Sequence, residues 1–188
     1  EKGVGFKTNA AGFSGENLQK AWTVSFWLKF NTIANGSTQI LDLRDQDHAT
    51  WPQNNWGSLW SSYDPAKREL EFVIRKGKGG GDEHKTWWRV HFIPQTWTHV
   101  TVAMEHNNGG IREVVYINGQ RAEALRYKNG NSEGTGMNPI YQSPSAYWAE
   151  DNSSYMLICK GRAFAAAIDG DVDDVKFFDH TLTAVSYP

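Results

Sequence analysis

The feature that most constrains the fold is an alternation of apolar and polar residues with a period of two. It recurs along the chain, and no segment shows a long helical pattern. Successive side chains of a β-strand point to opposite faces, so this period predicts strands. Residues 22–30 (WTVSFWLKF) show it most clearly, and Trp27 is the large apolar residue that falls on the opposite face. The residues predicted to share the buried face are Trp22, Val24, Phe26, Leu28 and Phe30.

Turn signals separate the predicted strands. Asn118-Gly119 lies between two apolar segments and predicts a two-residue type I′ hairpin. The glycine-rich, charged stretch 76–82 predicts the tip of another hairpin. Aromatic residues make up 13% of the chain and 18 residues are glycine, a composition typical of an all-β domain with long loops. Short strands with such turns indicate an antiparallel β-sandwich or jelly roll.

Length and charge limit the classes of function. A chain of 188 residues is expected to form one domain, residues 1–188. The formal net charge of -2 argues against nucleic acid or an anionic membrane surface as a partner. No apolar run approaches the roughly 20 residues of a membrane span, so no membrane insertion is expected. The polar start without a signal peptide fits a piece of a larger protein with further domains. The single Cys159 is predicted to be a small buried residue.

Carboxylates are clustered in residues 170–182, where Asp171, Asp173 and Asp174 accompany an alternating apolar segment. Aspartate is depleted from strands, and its charge needs a compensating partner. A bound cation and a set of backbone N–H donors are the two usual partners.

Three segments, in this order along the chain, resemble a known family. They are residues 21–30 (AWTVSFWLKF), the pair 95–102 (QTWTHVTV) and 115–119 (VYING), and residues 170–182 (GDVDDVKFFDHTL). They are similar to the early strand, the paired central strands and the closing strand of the laminin-G-like, concanavalin A-like jelly roll. The resemblance implies an all-β antiparallel β-sandwich. The family includes carbohydrate-binding modules, lectins, adhesion domains and toxin receptor-binding parts, alongside related glycanase and lyase scaffolds.

The resemblance also implies a structural calcium ion. In related modules, a carboxylate of the closing strand and backbone carbonyls near the N-terminus bind it, which points first to Asp173 and then to Asp171 and Asp174. Such an ion would hold the two ends of the domain together. In the alternative, Asp173 accepts backbone N–H bonds while the other two face solvent. Asp169 is an additional acid that the family pattern does not require.

The sequence predicts no enzyme. Hydrolases on this scaffold share a Glu-x-Asp-x-x-Glu strand, which is absent here. The lyase constellation is not formed either, and the six histidines show no zinc-binding spacing. A glycanase or lyase with an unrecognised site is the weaker alternative.

Two long loops, 45–62 and 128–152, are the predicted ligand site, because long loops in compact domains are usually functional. They combine indole and phenol rings, which stack on the C–H faces of sugars, with groups that hydrogen-bond to hydroxyls. The alternative is that the rings only pin the loops to the sandwich. In the pair Trp87-Trp88, at most one ring can be a platform. The candidate residues are Arg44, Asp47, Trp51, Asn54, Asn55, Trp56, Tyr147 and Trp148.

The sequence thus predicts a non-catalytic carbohydrate-binding module or lectin-like domain that binds a polysaccharide or other glycan. The location expected for it is extracellular, either secreted or on the cell surface. The alternative partner is a protein or peptide, bound by an adhesion domain of the same fold.

Overall fold

The computed structural model describes residues 4–7, 21–33, 36–44, 59–75, 83–107, 110–129, 132–136, 141–142, 155–159 and 168–182. These ranges contain β-strands and no helix, which confirms the predicted all-β class. No helix in them is long and apolar enough to span a membrane. The strands are β1 (Val4–Lys7), β2 (Trp22–Phe30), β3 (Thr38–Arg44), β4 (Leu59–Asp64), β5 (Glu69–Arg75), β6 (Glu83–Arg89), β7 (Thr98–Asn107), β8 (Gly110–Ile117), β9 (Gln120–Arg121), β10 (Glu123–Asn129), β11 (Ser132–Thr135), β12 (Tyr141–Gln142), β13 (Tyr155–Ile158) and β14 (Gly170–Phe178).

The strands form two antiparallel sheets. The eight-stranded sheet has the order β1-β13-β3-β4-β5-β6-β10-β11, and the six-stranded sheet has the order β12-β8-β7-β2-β14 with β9 paired to β8. Several neighbours in the sheets are distant in sequence, as in a jelly roll. One apolar cluster joins the inner faces of both sheets, so the two sheets form the predicted sandwich.

The core between the sheets follows the predicted alternation. All five residues predicted for the buried face of β2 are at most 2% exposed. From the opposite sheet they meet Tyr63, Phe72 and Trp88, which are also buried. Phe30, Phe92 and Tyr63 form an aromatic cluster, with centroids 5.1 Å apart for Phe30–Phe92 and 4.9 Å for Tyr63–Phe92. Burial of large apolar side chains of this kind is the main stabilising contribution to the fold.

Several local predictions are also confirmed. Asn118 and Gly119 have φ values of 51° and 76°, as both central residues of a type I′ turn require. Trp88 is buried, whereas Trp87 lies half-buried on the opposite face of β6. Cys159 is buried, and burial raises the pKa of its thiol, so the thiolate is suppressed.

The two predicted loops are shorter than expected. Residues 59–62 belong to β4, and the segment 128–152 contains the end of β10 and the short strands β11 and β12. For residues 59–62 the prediction missed the pairing of β4 with β3 and β5. It was wrong for residues 132–135 because β11, which consists of Ser132–Thr135, is polar and almost wholly exposed. A strand without an apolar face carries no alternation that a sequence pattern could detect.

One carboxyl group lies inside the protein. Glu113 of β8 is 2% exposed and accepts a hydrogen bond at Oε1 from the hydroxyl of Thr86 on β6. The indole Nε1 of Trp88 donates to the same hydroxyl over 3.2 Å. Oε2 of Glu113 has no hydrogen-bond partner among the described residues. This environment raises the pKa of Glu113 to about 8, because burial disfavours the charged form.

The outer face of the six-stranded sheet is covered at one end and open at the other. At the covered end Thr23 is fully buried, and its Oγ1 donates to the carbonyl of His180 over 2.9 Å and accepts the N–H of Leu182 over 2.9 Å. The chain after β14 therefore lies across this end. Along the same face of β2, exposure rises from 4% at Ser25 to 38% at Trp27. The open end is where a ligand could reach the sheet.

Candidate functional site

Most of the loop residues predicted to bind a ligand lie outside the described residues. Arg44 is the last residue of β3, where its backbone is paired with Tyr155; its side chain is not among those described. The loop site therefore stays a prediction. The residues concerned outside the described ranges are Asp47, Trp51, Asn54, Asn55, Trp56, Tyr147 and Trp148.

The exposed large apolar side chains of the described part are Trp27, Trp97 and Ile93. Trp27 is 38% exposed and Trp97 is 40% exposed, although tryptophan is normally among the more buried residues. Trp27 lies on the open end of the outer face of β2, and Trp97 immediately precedes β7, the neighbouring strand. Clustered exposed apolar groups of this kind mark interaction sites.

The strand register places one row of side chains across this open end. Trp27 of β2 is directly opposite Asp173 of β14 on one side and His99 of β7 on the other. Directly opposed residues of antiparallel strands share a face and lie close together. The rings of Trp27 and His99 are accordingly in contact, with centroids 5.0 Å apart and an interplanar angle of 50°.

A second row lies two residues further along β2. Lys29 is opposite Asp171, and its Nζ lies 2.7 Å from the Asp171 Oδ2. The same Nζ lies 5.0 Å from the centroid of the Trp97 ring, a cation–π distance. Lys29 thus links the carboxylate on one side to the indole on the other. We call the six residues of both rows the Trp27–Trp97 surface: Trp27, Lys29, Trp97, His99, Asp171 and Asp173.

His99 is expected to be uncharged at neutral pH. Its pKa is lowered mainly by burial; Asp174 raises it by a smaller amount, and Lys176 lowers it further. A neutral imidazole offers one hydrogen-bond donor and one acceptor. Its backbone is fixed by the hairpin turn, because the N–H of His99 donates to Asn118 Oδ1 over 2.9 Å and its carbonyl accepts the N–H of Asn118 over 2.8 Å.

The turns beside the surface are held by polar contacts. Asp169, the acid that the family pattern does not require, accepts the hydroxyl of Thr32 at Oδ2 over 2.9 Å, and its carbonyl accepts the N–H of Asn31 over 2.8 Å. Gln95 donates from Nε2 to the Asn31 carbonyl over 2.8 Å. These bonds fix the segment that carries Ile93 and leads into Trp97. Asp169 therefore has a structural role next to the surface.

The three carboxylates predicted to bind calcium have other partners. Asp171 pairs with Lys29, Asp174 pairs with Lys176 over 2.7 Å, and Asp173 Oδ1 accepts the N–H of Asp174 over 2.8 Å. Within the described ranges, no group of three or more potential ligand residues is placed to hold a metal ion. These three side chains therefore do not form a calcium site by themselves. The prediction also uses backbone carbonyls near the N-terminus, where the structure describes the backbone of residues 4–7 but not that of residues 1–3 or 8–20, so calcium stays a prediction.

A different account explains why a strand contains so many aspartates. Among the strands that the structure describes, β14 is the last on its side of the six-stranded sheet. Asp174 adopts a left-handed conformation with φ 47° at a register shift between Asp173 and Lys176. Charged side chains and bulges on an edge strand discourage pairing with another chain. The acidic residues of β14 thus protect an exposed edge.

The outer face of the eight-stranded sheet offers a contrasting tryptophan. The guanidinium carbon of Arg126 lies 4.5 Å from the centroid of the Trp87 ring. Arg126 is itself held by Glu69, with bonds of 2.8 Å from Nη1 and 2.7 Å from Nη2. Side chains also contact the rings of Trp27 and Trp97, but Trp87 is less exposed than either, which makes it the poorer platform.

Residues 6–186 match the family model described as Laminin_G_3, concanavalin A-like lectin/glucanases superfamily. The chain belongs to this superfamily. The resemblance in the three sequence segments is therefore confirmed, together with the fold that it implies. As a member of the concanavalin A-like superfamily, the chain shares its scaffold with both binding proteins and enzymes, so the function has to be argued from the site.

Solved structures support the same fold. The CBM40 domain of Ruminococcus gnavus IT-sialidase has a TM-score of 0.62 at 9% identity, covering 98% of this chain and 90% of that domain. The same domain bound to α2,3-sialyllactose has a TM-score of 0.60. A Trypanosoma rangeli sialidase in complex with 2,3-difluoro-KDN has a TM-score of 0.52 at 14% identity over 90% of this chain. The chain spans 22% of that sialidase's length. No curated protein sequence matches the chain significantly.

Proposed function

We propose that this concanavalin A-like domain is a non-catalytic carbohydrate-binding module, and that the Trp27–Trp97 surface is part of its glycan site. The observation that carries the proposal is the pair of exposed indole rings at the same end of one sheet face, next to fixed polar side chains. Sugars present C–H faces that stack on aromatic rings, and hydroxyls that need donors and acceptors. Lys29, His99 and Asp171 supply both kinds of group.

The surface is preorganised. Lys29 is held between Asp171 and Trp97, Trp27 packs against His99, and all of these residues except Trp97 lie on paired strands. Side chains that are ordered before binding lose less conformational entropy when a ligand arrives. This matters for a glycan, since a shallow surface gives few contacts to offset such a loss.

The predicted loops belong to the same proposal as a second set of contacts. They carry Trp51, Trp56, Tyr147 and Trp148, with Asp47, Asn54, Asn55 and Arg44 as polar partners. A neighbour in fold, the R. gnavus CBM40 domain, has been solved with a bound oligosaccharide and is of similar length to this chain. An extracellular location and attachment to further domains of a parent protein remain part of the proposal.

The chemistry of the described carboxylates supports a non-catalytic role. A general acid needs a raised pKa and access to the substrate. Glu113 has the raised pKa, but it is only 2% exposed and bonds to Thr86. Asp171 is accessible, but it is committed to Lys29. The hydrolase motif of three alternating carboxylates is absent from the sequence.

Affinity gel electrophoresis with a panel of soluble polysaccharides tests this function. We expect at least one polysaccharide to retard the domain, and a short oligosaccharide of the same sugar to restore its mobility. Incubation of the retarding polysaccharide with the domain should give no shorter products. If no glycan retards the domain and it instead binds a protein tightly, the adhesion alternative is correct; exposed Ile93 near Trp97 is the observation that favours that alternative.

A further inference from the structure

The charges around the Trp27–Trp97 surface are unbalanced. Four carboxylates lie on or next to β14 at this end of the sheet, but only two ammonium groups lie near them. Burial lowers the pKa of His99, so its imidazole does not add a positive charge. The carboxylates are those of Asp169, Asp171, Asp173 and Asp174, and the ammonium groups are those of Lys29 and Lys176. The part of the surface that β2 and β14 form is therefore negative, whereas the cationic Arg121 lies on β9, beyond β7 and β8.

Both ammonium groups are already in ion pairs. Lys29 lies 2.7 Å from Asp171 and Lys176 lies 2.7 Å from Asp174. The two remaining carboxylates are satisfied by uncharged donors: Asp173 by the backbone N–H of Asp174, and Asp169 by Thr32 and Asn31. An anionic ligand would meet these uncompensated carboxylates without gaining an unpaired cation in the described part of the surface.

We propose that the Trp27–Trp97 surface selects glycans that lack carboxylate and sulfate groups. The inference rests on the proposed glycan-binding function and specifies the ligand class of that site. Juxtaposed like charges disfavour a wrong partner, and the repulsion weakens as salt shortens the Debye length. α2,3-Sialyllactose, the ligand in the R. gnavus CBM40 structure, carries a carboxylate. This chain should therefore differ from that domain in the class of sugar that it binds.

Pairs of probes test the inference, each with a neutral and an acidic member. The pairs are lactose and α2,3-sialyllactose, dextran and dextran sulfate, and methyl-esterified and de-esterified polygalacturonate. Binding is measured by calorimetry for the oligosaccharides and by affinity electrophoresis for the polymers. We expect the neutral member to bind more tightly wherever a pair binds, by about fivefold to tenfold at low salt, and the difference to shrink in about 0.5 M NaCl.

Two variants with the same change of charge sharpen the test. Asp171→Asn removes the ion-pair partner of Lys29 and so frees its ammonium group for an anionic ligand. It should shift the preference toward the acidic member of each pair. Asp179→Asn is the matched control, because Asp179 lies beyond the far end of β14, next to His180. It should leave the preference of the wild type unchanged.

The outcomes are distinguishable. The inference is supported if the wild type binds the neutral probes more tightly, and if the preference shifts toward the acidic probes in Asp171→Asn but not in Asp179→Asn. Equal or tighter binding of the acidic probes overturns it, while the glycan-binding function stands. Equal shifts in both variants overturn the role given to Lys29 and Asp171. If none of the six probes binds and the wider polysaccharide panel is also negative, both the inference and the proposed function fail.

Discussion

The contribution of Glu113 to the free energy of unfolding is expected to fall by roughly 1 kcal/mol per pH unit as the pH rises from about 4.5 to about 8, because Glu113 keeps its proton in the folded state over this range. The unfolded chain releases that proton near pH 4.5, as an ordinary glutamate does, whereas the folded protein releases it near pH 8. The unfolded state then binds fewer protons, so stability decreases with pH and levels off above the folded pKa. Ionisation would leave a buried charge beside Thr86, with Oε2 unpaired.

Acidic groups with the opposite shift limit stability at low pH. The pKa of Glu69 is lowered, and the largest cause is the hydrogen bonding by Arg126. The pKa of Asp64 is also lowered, mainly by its hydrogen bond with Lys67. Their contributions are lost as the pH falls through these depressed values. The lowered pKa of His99 also makes stability rise with pH up to about 6.5, so the fall in stability due to Glu113 should be steepest between about pH 6.5 and pH 8.

Urea unfolding at constant ionic strength, measured at each pH unit from about 5 to about 9, checks the role of Glu113. Glu113→Gln should flatten the curve and exceed the wild type in stability at about pH 8, since the amide can still accept the Thr86 hydroxyl without ionising. Glu113→Ala should lose about 2–3 kcal/mol even at about pH 5, because it leaves a cavity and an unsatisfied hydroxyl.

Glu123→Gln is the matched control for the loss of one carboxylate. Glu123 is exposed and pairs with Arg89 at the surface, so its removal should change stability little at any pH. His84 of β6 is also buried, and only the part of the pH dependence that disappears in Glu113→Gln belongs to Glu113. A wild-type slope that persists in Glu113→Gln would contradict the assignment.

Gly170→Ala is expected to destabilise the domain by about 2–3 kcal/mol and to lower the melting temperature by roughly 5–10 °C. Gly170 is opposite Phe30 where β14 meets β2, and a Cβ there would overlap the carbonyl oxygen of Lys29. Since that atom belongs to the backbone, the strands must separate to admit the methyl group. The ion pair between Lys29 and Asp171 should be disturbed as well.

Gly134→Ala is the control for this prediction. A Cβ at Gly134 would meet the ring of Tyr127, a half-buried side chain that can rotate away. Its effect on thermal unfolding, followed by circular dichroism, should therefore be smaller. A melting temperature for Gly170→Ala at or above that of Gly134→Ala would show that β14 is not held as closely to β2 as described.

The sequence predicted those features that depend on neighbours along the chain. Alternation in β2 gave the five buried residues of that strand, and Asn118-Gly119 gave the hairpin turn. The site depends instead on strand order. Asp171 contacts Lys29, and His99 contacts Trp27, because β14 and β7 lie on either side of β2. A local sequence pattern does not predict this order of strands.

One sequence signal could have found the surface. Trp27 is a large apolar residue at a position where the alternation predicts a solvent-facing side chain. An apolar side chain at such a position either packs under another part of the protein or marks an interaction site. The burial of Glu113 had no comparable signal, because its contact with Thr86 joins β8 of one sheet to β6 of the other. The sequence indicated that the aspartates of β14 need partners, but the lysine partners of Asp171 and Asp174 were not foreseen.

The most direct test of the central claim is the binding of the Trp27→Ala, Trp97→Ala double variant to whichever polysaccharide retards the wild type. Trp87→Ala, which removes a less exposed tryptophan from the outer face of the other sheet, is the control, and near-ultraviolet circular dichroism checks that all variants are folded. The double variant should lose retardation, with a dissociation constant at least about tenfold higher, while the control binds as the wild type does. A folded double variant that is retarded as strongly as the wild type would contradict the proposed site.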